Sequence, residues 1–420
     1  MMKTVIALEE AQDLLLQSTE IVEESPVPLL EAVGRVLSRD ILAPENLPSF
    51  KKSPLDGYAL MAKDTFQAEP FNKVALEVIE EVRAGFVPQK KIVPGTAIKV
   101  MTGAPIPEGA DTVIKFEDVK RIKNFIYLPY PLKPGSNIIP EGDDVKQGEV
   151  IGIKGTMITP GLVSLLAALG IAQVPAFRKV KIAILSTGDE LVDPAQETSP
   201  GKIYNSSLYG LAAICRELGA EPVSMGIVGD EKELIAECIK KSLAEADLLI
   251  TTGGVSVGDY DAVRDALLYV GADLLFWKVS MKPGSPILAA KFNKKIIICL
   301  SGNPAAALVT FDLIAVPVIK KMMGLNKQLP AKVTAVLADN FSKSSPQRRF
   351  LRGKLQVKDG VNYARLTGGQ GNGVLKSMIH CNTLIDIPAG SGPILAGQEV
   401  SAFIIGNMNE SLFEFQKDIC

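Results

Sequence analysis

Apolar and polar positions along the chain change their period several times, and each change marks a different kind of element. Residues 5–17 carry apolar side chains at helical spacing among good helix formers, which predicts an amphipathic opening helix. A second helical segment is predicted over 29–37, ending at Ser38-Arg39-Asp40. From Phe71 to about Gly152 the pattern shortens to apolar runs at 74–82, 96–101, 112–116 and 125–128, divided by Pro and Gly, as in a β-rich module. Thr159-Pro160-Gly161 then opens a helix that Gly170 closes.

After Pro175 strand-like and helix-like runs alternate. Strands are predicted at 180–185, 222–228, 248–252, 274–279, 287–290 and 296–300. Helices are predicted at 206–218, from a cap at Asp230-Glu231-Lys232-Glu233 to Ala246, at 261–270, and from an Asn303 cap toward Met323. This alternation predicts a parallel or mostly parallel sheet covered on both faces. A polar linker at 324–330 leads to strand-like runs at 332–337, 349–357, 363–366, 383–387 and 400–405, which predict a small closed β domain. The fold class expected is multidomain α/β plus β.

Composition narrows the function classes. At 420 residues the chain exceeds one hydrophobic core. A formal charge of −2 argues against a general nucleic-acid or membrane-surface role. The most apolar run, 305–319, is broken by Asp312 and Pro317 and is too short to span a bilayer. Residues 1–11 lack a signal-peptide pattern, so a cytoplasmic protein is expected. Five scattered cysteines fit a reducing compartment, and a histidine triad or zinc site would rest wholly on His380, the single histidine.

Chemistry is therefore sought in the loops after strands, where ligands bind in open α/β folds. The run 248–261 drives apolar residues into Gly253-Gly254, then Ser256 and the carboxylates Asp259 and Asp261. Glycines permit close backbone approach, loop amides cradle an anion, and one or two carboxylates suit Mg²⁺. Ser186-Thr187-Gly188-Asp189-Glu190 ends another strand and reads equally as a phosphate and cation site or as a capped turn. Lys278 and Lys282 stand at a strand end and turn, able to neutralise an oxyanion or simply to face solvent. Ser301-Gly302-Asn303 opens a helix, an anion site or an ordinary cap. Asp56 and Thr102 each sit in a turn, and Arg348, Arg349 and Arg352 lie near the glycine-rich 368–373, as an oxyanion contact or a charged β edge.

In this order and spacing the runs 53–59, 101–111, 142–144, 186–190, 253–261, 282–284 and 302–304 resemble the molybdopterin molybdenumtransferase family, the molybdenum-insertion enzymes that include the gephyrin E domain. The resemblance implies a homodimer with four domains. These are an α/β molybdopterin-binding domain (1–26 and 174–327), a connecting domain (27–46 and 145–173), an inserted β-rich domain (47–144) and a C-terminal β-barrel (328–420). It implies Mg²⁺-dependent insertion of molybdate into adenylylated molybdopterin with release of AMP. Candidate protein partners are the molybdopterin adenylyltransferase and molybdoenzyme maturation proteins.

Carried over by motif, Glu190, Asp230 and Asp261 match acidic substrate positions, with Glu190 and Asp261 as metal ligands, and Lys278 and Lys282 match the family's lysines. Asp56, Thr102 and Asp144 match residues that a partner subunit brings to the cleft. Ser301, Gly302 and Asn303 would line the pterin-phosphate pocket beside Ser186, Thr187, Gly188, Gly253, Gly254 and Ser256, with Arg352 and Ser377 as oxyanion contacts. Ser285 stands where the family usually has Lys or Arg, and Ala306 where it has Ser. These departures support an alternative: a divergent paralogue that binds or carries molybdopterin, or handles tungstate, without efficient molybdate insertion.

Overall fold

The structure is a computed structural model that describes residues 3–255 and 262–406. The chain divides into two units, one of residues 1–38, 155–159 and 174–420, the other of residues 39–154 and 160–173.

The larger unit holds a six-stranded sheet in the order Glu221–Val228, Lys181–Thr187, Leu248–Thr252, Lys295–Leu300, Leu288–Phe292, Asp273–Trp277. The first four strands are parallel, and the last two pair antiparallel. Alternate side chains serve two separate cores. Ile182, Ile184, Leu248, Ile250, Ile296 and Ile298 pack with the helices Leu8–Ser18 and Ser206–Glu217. Ala183, Leu185, Leu249, Ile297 and Cys299 pack under Lys232–Glu245 and Ala262–Tyr269. A strand with two buried faces reads as a continuous apolar run, which is why these strands were so plain in the sequence.

The predicted C-terminal β domain is a closed five-stranded barrel, in the order Lys332–Leu337, Val361–Leu366, Arg349–Lys358, Thr383–Ile387, Glu399–Ile404. Phe350, Leu384 and Phe403 join the core under the α/β sheet, so barrel and sheet share apolar packing. Arg348 fastens the same junction: it forks Asp386 at 2.8 Å and reaches Glu9 of the opening helix at 2.7 Å.

The smaller unit contains a six-stranded sheet in the order Thr112–Lys115, Gly57–Leu60, Thr96–Val100, Val74–Val82, Phe125–Leu128, Lys120–Ile122. Tyr58, Leu60 and Leu76 feed one of its cores, and Ala59, Val82 and Ile98 another.

Three expectations are corrected. The helix over 29–37 is a single 3₁₀ turn, Leu29–Glu31. Gly34 adopts φ +77° and Leu30 is 96% exposed, so the helical period there had no face to bury. The long helix after Asn303 is Pro304–Thr310, a π segment Phe311–Ala315, then Val316–Met322. Pro317 cannot donate to a preceding carbonyl, and the wider turn absorbs the missing bond. Asp230 is not a cap, because the helix starts at Lys232 with Glu231 before it and no capping side chain. Among the described residues no helix is long and apolar enough to cross a membrane.

Candidate active site at the carboxyl edge of the parallel sheet

Three neighbouring parallel strands end together at Thr187, Thr252 and Leu300, and the loops that follow pack against each other. A Cβ on Gly253 would lie 2.2 Å from the Thr187 carbonyl oxygen, and one on Gly254 would lie 2.4 Å from Val263 Cγ2. Both glycines also have positive φ, +94° and +64°. Gly302 closes the group, its Cβ position 3.4 Å from the Gly253 α-carbon. The paired glycine is thus required by the meeting of strand ends. Gly253→Ala is expected to cost roughly 2–4 kcal/mol, from overpacking against backbone and an unfavourable φ; urea denaturation checks it, and a shift below about 1 kcal/mol would refute the packing argument.

Ser186 and Thr187 are buried, and their hydroxyls are turned inward. Ser186 Oγ meets Thr252 Oγ1 at 3.0 Å and donates to Asn205 Oδ1 at 3.2 Å, while Asn205 also accepts from Leu208 N–H to cap Ser206–Glu217. Ser186 therefore braces the floor of the edge. Ser256 and Asp261 lie outside the described residues.

Acid gathers beside this floor. A Cβ on Gly188 would lie 2.5 Å from the Glu190 carboxylate, and one on Gly229 would lie 2.9 Å from Asp189 Oδ1. Burial raises the Asp230 carboxyl, and the charges of Asp189 and Glu190 raise it further. Three carboxylates that repel one another across a strand-end loop are the donor chemistry for a hard cation carrying its own waters and phosphate oxygens. Among the described residues no group of three acids, histidines or cysteines is close enough to hold a metal alone.

Cations stand on the other side. Lys278 follows the strand Asp273–Trp277 with φ +72°, and its Nζ lies 4.5 Å from the Trp277 ring centroid. Lys282 is tied to the barrel: its N–H donates to Arg348 O at 2.9 Å, and its carbonyl accepts from Phe350 N–H at 2.8 Å. Ser285 spends its hydroxyl on Val279 O at 2.8 Å, closing the turn that carries Lys282. The barrel's glycine-rich loop reaches the same place, since Ala306 N–H, in the first turn of Pro304–Thr310, donates to Asn372 O at 3.2 Å. Asn303 stands at the cap with no side-chain cap bond, and its N–H donates to Ser301 Oγ at 3.3 Å.

Arg352 lies behind that loop, fully buried, and is no β-edge charge. Its Nε donates to Ser377 Oγ at 2.7 Å, and its Nη2 donates to Gly369 O and Gly371 O at 3.0 Å each. Its Nη1 is buried with no partner among the described residues. A buried guanidinium nitrogen without an acceptor is an uncommon and costly arrangement.

In the smaller unit Asp56 and Thr102 come together. Asp56 Oδ1 accepts from Thr102 N–H and Thr102 Oγ1, each at 2.7 Å, and these bonds hold its carboxyl below the usual range. Asp144 is exposed, on a turn whose N–H donates to Leu47 O at 3.0 Å.

Comparison with known proteins decides the family. Residues 6–170 match the MoeA N-terminal region (domain I and II), 183–321 a probable molybdopterin binding domain, and 334–405 the MoeA C-terminal region (domain IV). The chain is 36% identical over 413 residues to the molybdopterin molybdenumtransferase of Bacillus subtilis (strain 168), covering 97% of this chain and 96% of that one. This chain belongs to the molybdopterin molybdenumtransferase family. The enzyme of that name from Staphylococcus aureus (strain COL) is 32% identical, with 95% of each chain covered. Among solved structures, the molybdopterin biosynthesis MoeA protein from Pyrococcus horikoshii OT3 superposes with a TM-score of 0.80 at 36% identity, covering 96% of this chain and 100% of that one.

Within that family frame, the sequence reading missed several residues that shape the site. Asn205 left a signal, an Asn before a helical run, but its bond to Ser186 did not. Gln370 was inside a noted glycine run, yet only the structure shows it accepting from Arg352 N–H at 2.8 Å. Trp277 carried no chemical signal at all.

Proposed function

We propose that this chain is a cytoplasmic molybdopterin molybdenumtransferase that inserts molybdate into adenylylated molybdopterin and releases AMP. The observation that carries the reading is the strand-end edge where Lys282 is bonded through its backbone to Arg348 and Phe350 of the barrel, and Ala306 N–H to Asn372 O of the loop that the Arg352 side chain holds. Lys282 and the Arg352 Nη1 without a partner among the described residues would supply positive charge to an anion there, while the total charge of the protein stays near neutral. The glycine-floored edge at Gly253, Gly254 and Gly302 would let a pyrophosphate approach the backbone closely.

Glu190 and Asp261 would hold Mg²⁺, with Asp230 as a further acidic group toward the substrate. When bound, that ion would neutralise charge on the phosphates as the anhydride bond is cleaved. Lys278 and Lys282 would bind and orient the phosphates, and Arg352 with Ser377 would place the oxyanion. A homodimer is part of this reading, with Asp56, Thr102 and Asp144 as groups that a second copy contributes. The four-domain division and the protein partners implied by the family resemblance belong to it as well.

The test is AMP release by purified protein supplied with adenylylated molybdopterin and Mg²⁺, with molybdate, with tungstate and with neither. Molybdate-dependent AMP release together with cofactor formation is the expected result; its absence would sink the proposal. A second reading is favoured by Ser285, whose hydroxyl is committed to Val279 O and which brings no cation to that edge. That reading, a protein that binds or carries molybdopterin, predicts tight pterin binding without turnover and a gain of AMP release in Ser285→Lys.

A further inference from the structure

We propose that Trp277 is a positioning residue, its indole face holding the Lys278 ammonium at the anion-binding edge of the sheet. The inference rests on the reading of Lys278 as a phosphate-binding cation and adds to it the group that fixes that cation in place.

Lys278 is bound on both sides of its backbone: its N–H donates to Ile287 O at 2.8 Å, and its carbonyl accepts from Ile6 N–H at 3.2 Å. Between those bonds it adopts φ +72°, a conformation that a residue with a side chain rarely takes. Local strain of this kind persists only where surrounding bonds over-determine it, and it gathers at ligand sites. The turn lays the side chain back over the preceding residue, with Nζ 4.5 Å from the Trp277 ring centroid. Arg264, from the helix Ala262–Tyr269, brings its Cζ within 5.1 Å of the same centroid. Two cations therefore use one ring, both inside the distance at which the ring quadrupole attracts them.

The rest of Trp277 is arranged for its face rather than its edge. Nε1 is buried with no hydrogen-bond partner among the described residues, so the indole N–H brings no bond that would explain the residue. Its backbone is clamped by the donation of its N–H to Lys3 O at 2.9 Å and by pairing with Leu288. A fixed aromatic plane beside a flexible four-carbon stem restricts the ammonium before any ligand arrives, and pre-organisation of that kind strengthens binding. Phenylalanine would keep a π-face there, and leucine would only fill the volume.

The chain contains one tryptophan, so its emission reports on this ring, which carries the Lys278 and Arg264 contacts. The experiment measures AMP binding by calorimetry for the full chain, Trp277→Phe, Trp277→Leu, Lys278→Met and the Trp277→Leu/Lys278→Met pair. Trp277→Leu is expected to weaken binding by about three- to tenfold and Trp277→Phe by less than about twofold. In the Lys278→Met background Trp277→Leu should have no further effect, because the coupling belongs to the pair. An equal loss from Trp277→Leu in both backgrounds would overturn the proposal and leave Trp277 a packing residue. Emission from the otherwise unaltered protein and from Lys278→Met needs no ligand and no change at Trp277. A different spectrum or quantum yield in Lys278→Met is expected, and identical emission would overturn the contact. Failure of the unaltered protein to bind AMP, with emission changed as expected, would instead count against the nucleotide reading of the edge.

Discussion

Arg352→Met is expected to lower molybdate-dependent AMP release by about 10²–10³-fold, the usual consequence of removing a pre-aimed donor to a developing or bound oxyanion. The guanidinium does two things at once. Nη1 is the buried donor without an acceptor among the described residues, and Nε and Nη2 hold Ser377, Gly369 and Gly371 in the loop that meets Pro304–Thr310. Removal leaves those acceptors unpaired in a buried place, so about 2–4 kcal/mol of stability should be lost as well. Arg352→Lys separates charge from shape. A lysine keeps the cation but cannot fork two carbonyls and a hydroxyl, so activity should stay at least about tenfold below that of the unaltered protein. AMP release measured beside a denaturation curve checks both variants, and near-normal turnover in either would remove Arg352 from the proposed oxyanion contacts.

Asp312→Asn is expected to make the protein more stable by about 4 kcal/mol at pH 8 and by only about 1–2 kcal/mol at pH 5. Asp312 sits in the π segment with 8% of its surface exposed. Burial pushes its carboxyl up to about 7; Glu217 adds to the rise and Lys320 opposes it. In the unfolded chain the same carboxyl titrates near 3.8. Between those values the folded protein keeps a proton that the unfolded chain has released, so stability falls as pH rises and levels off above about 7. Asparagine has no proton to lose and removes that slope. Urea midpoints at the two pH values provide the measurement, and an equal shift at both would contradict the assigned cause. The same buried region makes Cys381 inert, its thiol pushed up to about 12 by burial and by Asp312 against the opposing charge of Arg352.

How much of this was legible beforehand depends on how local the cause is. The strands at 248–252 and 296–300 were plain because both of their faces are buried, and an all-apolar run between turn residues has few other readings. The helix over 29–37 failed because its apolar period was real but unsupported: Leu30 faces outward and Gly34 turns the chain left-handed. Asp230 failed as a cap and gained a different part, beside Asp189 and Glu190, through a loop whose path the period of apolar residues does not encode.

The sequence by itself determined the α/β alternation, the closed β domain, the glycines at the strand ends and the family. These follow from side-chain period, from glycine's access to positive φ, and from ordered motifs, all of which are properties of neighbouring residues. Only the tertiary structure decided which polar groups are free to act. Ser186 was a candidate phosphate contact, and its hydroxyl is turned to Thr252 and Asn205; Arg352 read as an oxyanion contact or an edge charge, and it is buried with one nitrogen unpaired among the described residues. The stretch 248–252 was legible by itself, but the pairing of Lys282 with Arg348 and Phe350, and of Ala306 with Asn372, is made by hydrogen bonds across dozens of residues. A hydrogen bond fixes a distance and a direction between two atoms, and neither is written in the spacing of the residues that make it.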